Sequence, residues 1–280
     1  MNTKTIYKSP QGEKLMMEFY NKMLEKWPVD YTEIDCKTHI GKTHIIVAGP
    51  EDSPPLVLLH GSTSNATTWA GDVLSYTEHF RVYAIDMPGE PGKSCQTRLS
   101  WKNYEYNNWL LQVFDLLNLT KPHIAGLSLG GWVALKFAVA YPARINKIAL
   151  IAPGGIVNPN MKAIMKMASY SSQGEKGIEK TLRLLFPDDF ESPEIREFFM
   201  LINENLIIRS EALKPLPDTE LSKVESPVFM VCGVLDAFFN FKKAGKRLKK
   251  LLPDSETLLF EKGTHGLVSM AETIIPFFKS

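Results

Sequence analysis

One serine of this chain lies where an extended apolar run changes directly into a helical pattern. The segment reads G-L-S-L-G-G, with Ser128 between Gly126 and Gly130. A serine on so sharp a turn has a strained backbone, and the two glycines remove side chains that would clash. The turn exposes the Ser128 hydroxyl and directs the first free N–H groups of the helix, including that of Leu129, at the space above it. The pattern predicts a nucleophile beside an anion-stabilising pocket, and the alternative is a packing turn that happens to hold serine.

A serine hydroxyl is a weak nucleophile unless a base lies within hydrogen-bond reach. Of the six histidines, His265 lies in G-T-H-G after the last apolar run, where flanking glycines allow a loop to carry the imidazole over the sheet edge. Asp236 follows another apolar run in C-G-V-L-D. An N-cap for the segment that begins near Phe239 is its alternative role, and one carboxylate can fill both. The order Ser128, Asp236, His265 predicts a Ser-His-Asp triad.

Short apolar runs alternate with helical patterns along most of the chain. After a helical pattern at 11–27 and two strands at 30–37 and 42–48, continuously apolar runs occur near 56–60, 81–87, 123–127, 147–152, 227–233 and 257–260. Helical patterns at 66–79, 101–118, 129–141, 240–252 and 266–279 lie between or after them. Apolar runs too short for helices are typical of parallel strands covered on both faces. The sequence predicts an α/β fold with a central, mostly parallel sheet of about eight strands and helices on both faces.

The alternation stops after the sixth strand, where only helical patterns follow. We interpret residues 155–219 as a small helical cap inserted into a core formed by 1–154 and 220–280. The cap contributes flexible and aromatic apolar residues that could line an adaptable substrate pocket. The pocket candidates are Met161, Met165, Phe186 and Phe198. Each of them could instead pack the cap onto the sheet.

Composition narrows the classes of partner. The formal net charge is +1 and 22% of residues are charged, which gives no support for nucleic acid or an anionic membrane as partner. No apolar run approaches the roughly 20 residues of a membrane span, and the N-terminus lacks a signal-like apolar region. Cys36, Cys95 and Cys232 are far apart and lack metal-ligand spacing. These features favour a reduced, cytoplasmic protein without a metal site.

The chain resembles the α/β-hydrolase family over nearly its whole length, and especially its capped esterase and lactonase-like members. The matching segments are H-G-S at 60–62, D-M-P-G-E-P-G-K-S at 86–94, G-L-S-L-G-G, G-V-L-D and G-T-H-G. The resemblance implies that the Ser62 N–H is the second oxyanion donor beside that of Leu129, and that His60 orients this loop. Trp69 resembles a tryptophan that the family often carries, and we add it to the pocket candidates. The loop at 86–94 is one residue longer than usual and is not expected to touch a catalytic group, and the N-terminal helix is an addition without an assigned role.

These observations predict a serine hydrolase that transfers the acyl group of a small to medium carboxylic ester to water. The chemistry requires no cofactor and no metal, and the expected state is a monomer or homodimer. A serine nucleophile argues against dehalogenase and epoxide hydrolase chemistry, whose related enzymes use aspartate. Lactone, thioester and carbon–carbon bond hydrolysis and perhydrolysis remain open, because fold and triad do not select the substrate. So does a small-molecule receptor that keeps the triad but turns over little.

Overall fold

The structure, a computed structural model, describes residues 5–187, 191–209 and 211–280. It contains an eight-stranded sheet with the order β1-β2-β4-β3-β5-β6-β7-β8. The strands are β1 (Tyr31–Thr38), β2 (Gly41–Ala48), β3 (Pro55–Leu59), β4 (Arg81–Ile85), β5 (His123–Leu127), β6 (Ile148–Ile151), β7 (Val228–Gly233) and β8 (Glu256–Phe260). β1, β2 and β4 pair antiparallel, and every other pairing is parallel. The predicted fold class is confirmed.

The helices largely follow the sequence prediction. They are α1 (Pro10–Glu25), α2 (Val73–Thr77), α3 (Glu105–Leu116), α4 (Leu129–Ala140), α5 (Met161–Tyr170), α6 (Gly174–Leu185), α7 (Pro193–Asn205), α8 (Asp218–Leu221), α9 (Phe241–Leu251) and α10 (Ala271–Lys279). Short 3₁₀ helices lie at Ala66–Gly71 and Pro142–Arg144.

Three of the predicted helices are shorter than expected. The pattern at 101–118 is a helix only over Glu105–Leu116. The pattern at 66–79 is a 3₁₀ turn followed by α2, and the two meet at Asp72. The last helix begins at Ala271 instead of residue 266. The chain before it forms a loop that ends in a left-handed residue, Ser269, with φ 56°. Because the Asp72 carboxylate accepts the Ala271 N–H at 2.7 Å, this aspartate fixes where α10 starts.

The sheet is covered on both faces, which explains why its strands are continuously apolar. In β3, Val57 and Leu59 point into one buried cluster, whereas Leu56 and Leu58 point into the other. The first cluster is closed by α3, α4 and α9, and the second by α1, α2 and α10. Removing such side chains from water is worth roughly 1.5–3 kcal/mol each, so the alternating strand register is strongly favoured.

The strand register brings the chemistry-bearing loops to one edge of the sheet. Leu59 pairs with Ile85 on one side and with Gly126 on the other. The loops that follow β3, β4 and β5 therefore leave the sheet side by side. Gly233 of β7 pairs with Phe260 of β8, so the loops after these strands are neighbours as well.

Helices α5, α6 and α7 lie between β6 and β7, within the interval predicted as a cap. Positions 188–190 and 210 of that interval, and positions 1–4 of the predicted core, lie outside the described residues. The N-terminal helix packs on α7: Phe19 stacks on Phe198 with ring centroids 5.5 Å apart, and Lys22 pairs with Glu197 at 2.6 Å. Ahead of α1, Tyr7 forms an antiparallel bridge with Leu206. The N-terminal segment therefore joins the inserted helices to the rest of the molecule.

Candidate active site

Ser128 occupies a strained turn between β5 and α4. Its φ of 49° and ψ of −103° are unfavourable for a residue with a side chain, at a cost of about 1–3 kcal/mol. The neighbouring backbone holds it there. Its N–H donates to the Ile151 carbonyl at 2.9 Å, and its carbonyl accepts the N–H groups of Trp132 and Gly154 at 3.2 and 3.0 Å. The turn is thus fixed from the adjacent strand β6 and from its own helix.

The glycines around Ser128 are required by close backbone contacts. A Cβ at Gly126 would lie 2.6 Å from the carbonyl carbon of Gly130, and a Cβ at Gly130 would overlap the Leu59 carbonyl oxygen. Such distances are far below contact range and involve backbone atoms that cannot turn aside. The close packing of β5 against α4 therefore permits only glycine at these two positions.

The structure brings the three predicted triad side chains together. The Ser128 Oγ lies 3.2 Å from His265 Nε2, and His265 Nδ1 lies 2.6 Å from Asp236 Oδ2. With Nδ1–H donating to the carboxylate, Nε2 is left as the acceptor that faces the serine hydroxyl. The geometry allows the proton of the serine hydroxyl to pass to the imidazole.

Asp236 is held by its own loop. Its side chain is 0% exposed, and its Oδ1 accepts the N–H groups of Phe238 and Phe239 at 2.6 and 2.8 Å. The rings of these two residues also flank His265, with centroids 5.2 and 5.9 Å from the imidazole. One carboxylate oxygen therefore binds the loop while the other faces the imidazole. The alternative role of Asp236 as a helix N-cap is wrong, because α9 begins at Phe241 and its N-cap is Asn240, whose side chain accepts the Lys243 N–H at 3.0 Å.

The two predicted oxyanion donors flank Ser128. Leu129 is the first residue of α4, and a Cβ on Gly61, the neighbour of Ser62, would lie 3.7 Å from the Ser128 Cβ. Among the described residues, neither the Ser62 nor the Leu129 N–H donates to another group. Both therefore stay predictions for the oxyanion donors.

His60 is close to this site, but both of its ring nitrogens already have hydrogen-bond partners. Its Nδ1 donates to the Gly61 carbonyl at 2.8 Å, and its Nε2 accepts the Met87 N–H at 2.9 Å. Burial lowers the pKa of His60, in agreement with a neutral ring that donates through one nitrogen and accepts through the other. This arrangement leaves no ring nitrogen for Ser128 and fits an orienting function in the loop.

The end of α6 contacts the loop that carries His265. The Leu185 carbonyl accepts both the Thr264 hydroxyl and the Gly266 N–H, at 2.7 and 2.6 Å. The Phe186 ring lies where a Cβ on Gly266 would be. The residues on either side of His265 are thus attached to the inserted helices.

The other predicted pocket residues occupy different environments. Met161 and Met165, on α5, are 50% and 68% exposed, so neither is packed against the sheet. Phe198 stacks on Phe19 of α1, and so packs on the N-terminal helix instead of on the sheet as the packing alternative expects. Trp69 belongs to the 3₁₀ turn after the Ser62 loop and is buried in the second of the two clusters that cover the sheet. Of the predicted pocket set, Phe186 is the residue that the structure places against the His265 loop.

Comparisons with known proteins agree with this architecture. A sequence profile described as the alpha/beta hydrolase fold matches residues 54–192. An uncharacterized carboxylesterase, nap, from Bacillus subtilis is 30% identical over 258 residues, which cover 89% of this chain and 85% of the relative. The chain belongs to the α/β-hydrolase fold family. Carboxylesterase YbfK from the same organism is 27% identical over 256 residues, 89% of this chain and 86% of its own.

A solved structure extends the similarity to nearly the whole chain of this α/β-hydrolase. The crystal structure of naproxen esterase (carboxylesterase NP) from Bacillus subtilis superposes with a TM-score of 0.85 at 28% identity. The match covers 97% of this chain and 99% of that one. Because only 3% of this chain is left out, most of the inserted helices fall within the region of similarity.

Sequence reasoning missed three groups of this hydrolase near the site. The N–H groups of Phe238 and Phe239 were overlooked because backbone donors leave no signal in residue type. The Leu185 carbonyl, a backbone acceptor, leaves no signal in residue type either. Glu90 lies in the longer loop after β4 and accepts the Thr63 N–H at 2.6 Å, next to Ser62. The extra residue of this loop is visible in the sequence, but the sequence analysis does not expect the loop to touch the site.

Of the helices in the described ranges, none is long and apolar enough to cross a membrane.

Proposed function

We propose that this α/β-hydrolase is a serine carboxylesterase in which Ser128 is the nucleophile, His265 the general base and Asp236 its orienting carboxylate. The observation that carries the proposal is the continuous chain of contacts from Ser128 Oγ through His265 to Asp236, at 3.2 and 2.6 Å. The carboxylesterase names of the relatives support the ester as the substrate class.

In the first half of the reaction, the Ser128 oxygen attacks the ester carbonyl while His265 Nε2 takes the hydroxyl proton. The negative charge that develops on the carbonyl oxygen is stabilised by the N–H groups of Ser62 and Leu129, each worth about 3 kcal/mol of barrier. The intermediate then collapses, the bond to the alcohol breaks, and His265 returns the proton to the departing oxygen. The product of this half is an acyl ester on Ser128.

In the second half, water repeats the attack. His265 removes a proton from the water molecule, whose oxygen adds to the acyl carbonyl, and the same two N–H groups bind the oxyanion. Collapse returns the proton to Ser128 and releases the carboxylic acid. In the charged intermediate state, the imidazolium is stabilised by the buried Asp236 carboxylate. All of these steps use side chains and backbone groups of this chain.

We propose that residues 155–219 act as a cap that covers this site. Support comes from the contacts of Leu185 and Phe186 with the two neighbours of His265. The apolar pocket candidates of the insertion suit uncharged acyl and alcohol groups of small to medium size. Met161 and Met165 stay predictions for the pocket, and their exposure fits a position at its entrance. Trp69 and Phe198 stay pocket predictions as well, although both are used in packing.

The proposal includes a cytoplasmic enzyme that acts as a monomer or homodimer. All three cysteines are free, which fits a reducing compartment.

The test is the hydrolysis of a short p-nitrophenyl ester by the wild type and by Ser128→Ala. We expect a burst of one p-nitrophenol per chain in the wild type, stoichiometric labelling of Ser128 by a fluorophosphonate, and loss of both in the variant with an unchanged circular dichroism spectrum. Turnover that survives in Ser128→Ala would refute the assignment. Labelling without turnover over a panel of esters, lactones and thioesters would instead favour the receptor alternative.

A further inference from the structure

The loop that carries Ser62 is held in place by the loop that follows β4. Residues 60–66 leave β3 and enter the 3₁₀ turn without pairing to any strand. Four hydrogen bonds join them to residues 86–91 instead. These bonds are Met87 N–H to His60 Nε2 (2.9 Å), Thr63 N–H to Glu90 Oε2 (2.6 Å), Asn65 Nδ2 to the Pro91 carbonyl (2.9 Å) and Ala66 N–H to Asp86 Oδ1 (2.7 Å). The position of the Ser62 N–H therefore depends on contacts from another loop.

Of these contacts, the hydrogen bond to Glu90 is the one made by the residue directly after Ser62. It reaches Thr63, whose φ of 54° puts a β-branched residue in the left-handed region. That conformation is costly for threonine, so the turn persists only where its surroundings hold it. A carboxylate that accepts a backbone N–H at 2.6 Å makes a charge-assisted hydrogen bond, roughly twice as strong as a neutral one. Glu90 is therefore placed to stabilise this turn.

Glu90 is a buried carboxyl group with charged and polar groups around it. The residue is 7% exposed, and burying a carboxylate is unfavourable unless charged or polar partners compensate for it. Burial raises the pKa of Glu90 to about 7, while the Thr63 N–H and the nearby guanidinium groups of Arg98 and Arg209 oppose that increase. The phenol of Tyr106 is also within electrostatic range. Arg209 comes from the inserted segment, so charges from both parts of the chain bear on this carboxylate.

We propose that Glu90 is a positioning residue of the oxyanion hole: by accepting the Thr63 N–H it fixes the turn that presents the Ser62 N–H beside Ser128. The inference rests on the proposed function, in which Ser62 is an oxyanion donor. It also gives a role to the extra length of the D-M-P-G-E-P-G-K-S loop, which the sequence prediction had set apart from the site. Glu90 touches no reacting atom and acts through the backbone of residues 62 and 63.

The experiment compares the wild type with Glu90→Leu, which removes both acceptor oxygens, and Glu90→Gln, which keeps one. Glu105→Gln is the matched control, because Glu105 also accepts a loop N–H, that of Ser100 at 2.7 Å, but on a different loop. The readouts are kcat and KM for a short p-nitrophenyl ester and the inhibition constant of a trifluoromethyl ketone. The ketone forms a tetrahedral adduct whose oxyanion needs the same two N–H donors.

Loss of one oxyanion donor lowers kcat by 10²–10³, so a displaced donor should cost roughly 10- to 100-fold. We expect this decrease for Glu90→Leu, with KM within about threefold and weaker ketone binding in proportion to the loss of kcat/KM. Glu90→Gln should stay within about fivefold of the wild type because an acceptor remains, and Glu105→Gln should match it. A folded Glu90→Leu variant with wild-type kcat, or a loss of kcat without weaker ketone binding, overturns the proposal.

If Glu90→Leu does not fold, hydrogen exchange of the peptide spanning residues 60–66 decides between the outcomes. A neutral amide is a weaker acceptor than a carboxylate. We therefore expect exchange several-fold faster in Glu90→Gln than in the wild type, and equal rates would overturn the proposal. The parallel Ser128→Ala measurement separates the two hypotheses: its residual turnover would remove the proposed function, whereas an inactive Ser128→Ala beside a fully active Glu90→Leu would remove only the role of Glu90.

Discussion

Replacing Asp236 by asparagine tests the proton path most directly, because the structure dictates how the new amide must be oriented. The Oδ1 of Asp236 accepts two backbone N–H groups, those of Phe238 and Phe239. An asparagine can keep both bonds only if its oxygen stays on that side. Its NH₂ group then faces His265 Nδ1, and two donors cannot share a hydrogen bond. The imidazole must adopt the other tautomer, with its proton on Nε2 facing Ser128.

The size of the expected decrease in kcat follows from the cost of turning the asparagine amide over. Turning the amide over would restore the productive tautomer but would leave two buried N–H groups without acceptors, at about 1–3 kcal/mol each. At 1.4 kcal/mol per factor of ten, a total of roughly 2–6 kcal/mol leaves between about 1 in 30 and 1 in 10⁴ molecules with the correct tautomer. The neutral amide also stabilises the imidazolium less well than a carboxylate does. We expect kcat to fall about 10³- to 10⁴-fold with little change in KM.

The assay is steady-state hydrolysis of a p-nitrophenyl ester, with Asp115→Asn as the control because that exposed aspartate undergoes the same chemical change on the surface. Proton NMR reports the cause separately: the low-field signal of the His265 Nδ1–H should be present in the wild type and absent in Asp236→Asn. A decrease in kcat of less than about 30-fold, in a folded variant that has lost this signal, would refute the tautomer argument.

Two further predictions concern the cap contact and the buried carboxyl groups. Gly266→Ala should lower kcat about tenfold or more, because its Cβ would overlap the Phe186 ring beside His265. The added change Phe186→Leu should recover much of the lost kcat. If steady-state kinetics show no recovery, this clash is not the cause. The pKa of Glu90 is raised to about 7 and that of Asp72 to about 6 by burial, so these two groups bind more protons in the folded chain than in the unfolded chain in the window between their ordinary and raised values. The contribution of Glu90 to the free energy of unfolding should therefore fall by about 2 kcal/mol as pH rises from 5.5 to 8.0, whereas His60 and His123, whose pKa values are lowered by burial, contribute in the opposite direction. In urea titrations, the change in unfolding free energy between the two pH values should differ by about 2 kcal/mol between the wild type and Glu90→Gln, and an equal change in both would contradict the assignment.

The sequence was sufficient for the sheet because its strands carry a strong local signal. A run such as β3 is apolar at every position only when both faces are covered, and that condition fixes its place inside a parallel sheet. The site at Ser128 was equally local, since glycines flank a serine at a strand-to-helix junction mainly where a sharp turn must expose its hydroxyl. Asp236 and His265 were located by the rule that loops after parallel strands share one edge.

The errors in the prediction arose where distant residues determine local structure. The helical period continues through residues 66–79, yet the chain there forms two short helices. The predicted helix at 266–279 is interrupted at Ser269, and its start is set by the contact of Asp72 with Ala271. Periodicity reports which face is apolar and carries no information on such a contact. Phe198 showed the same limitation, because an apolar stripe does not reveal whether the substrate pocket or α1 covers it.

The sequence by itself determined the fold class and the identity of the three residues proposed for acyl transfer, because residue type and strand order are one-dimensional properties. Only the tertiary structure decided that Asp236 also binds the Phe238 and Phe239 N–H groups and that Glu90 supports the turn beside Ser62. These contacts use backbone groups, which every residue possesses, so their partners are selected by proximity in space and leave no pattern in the order of side chains.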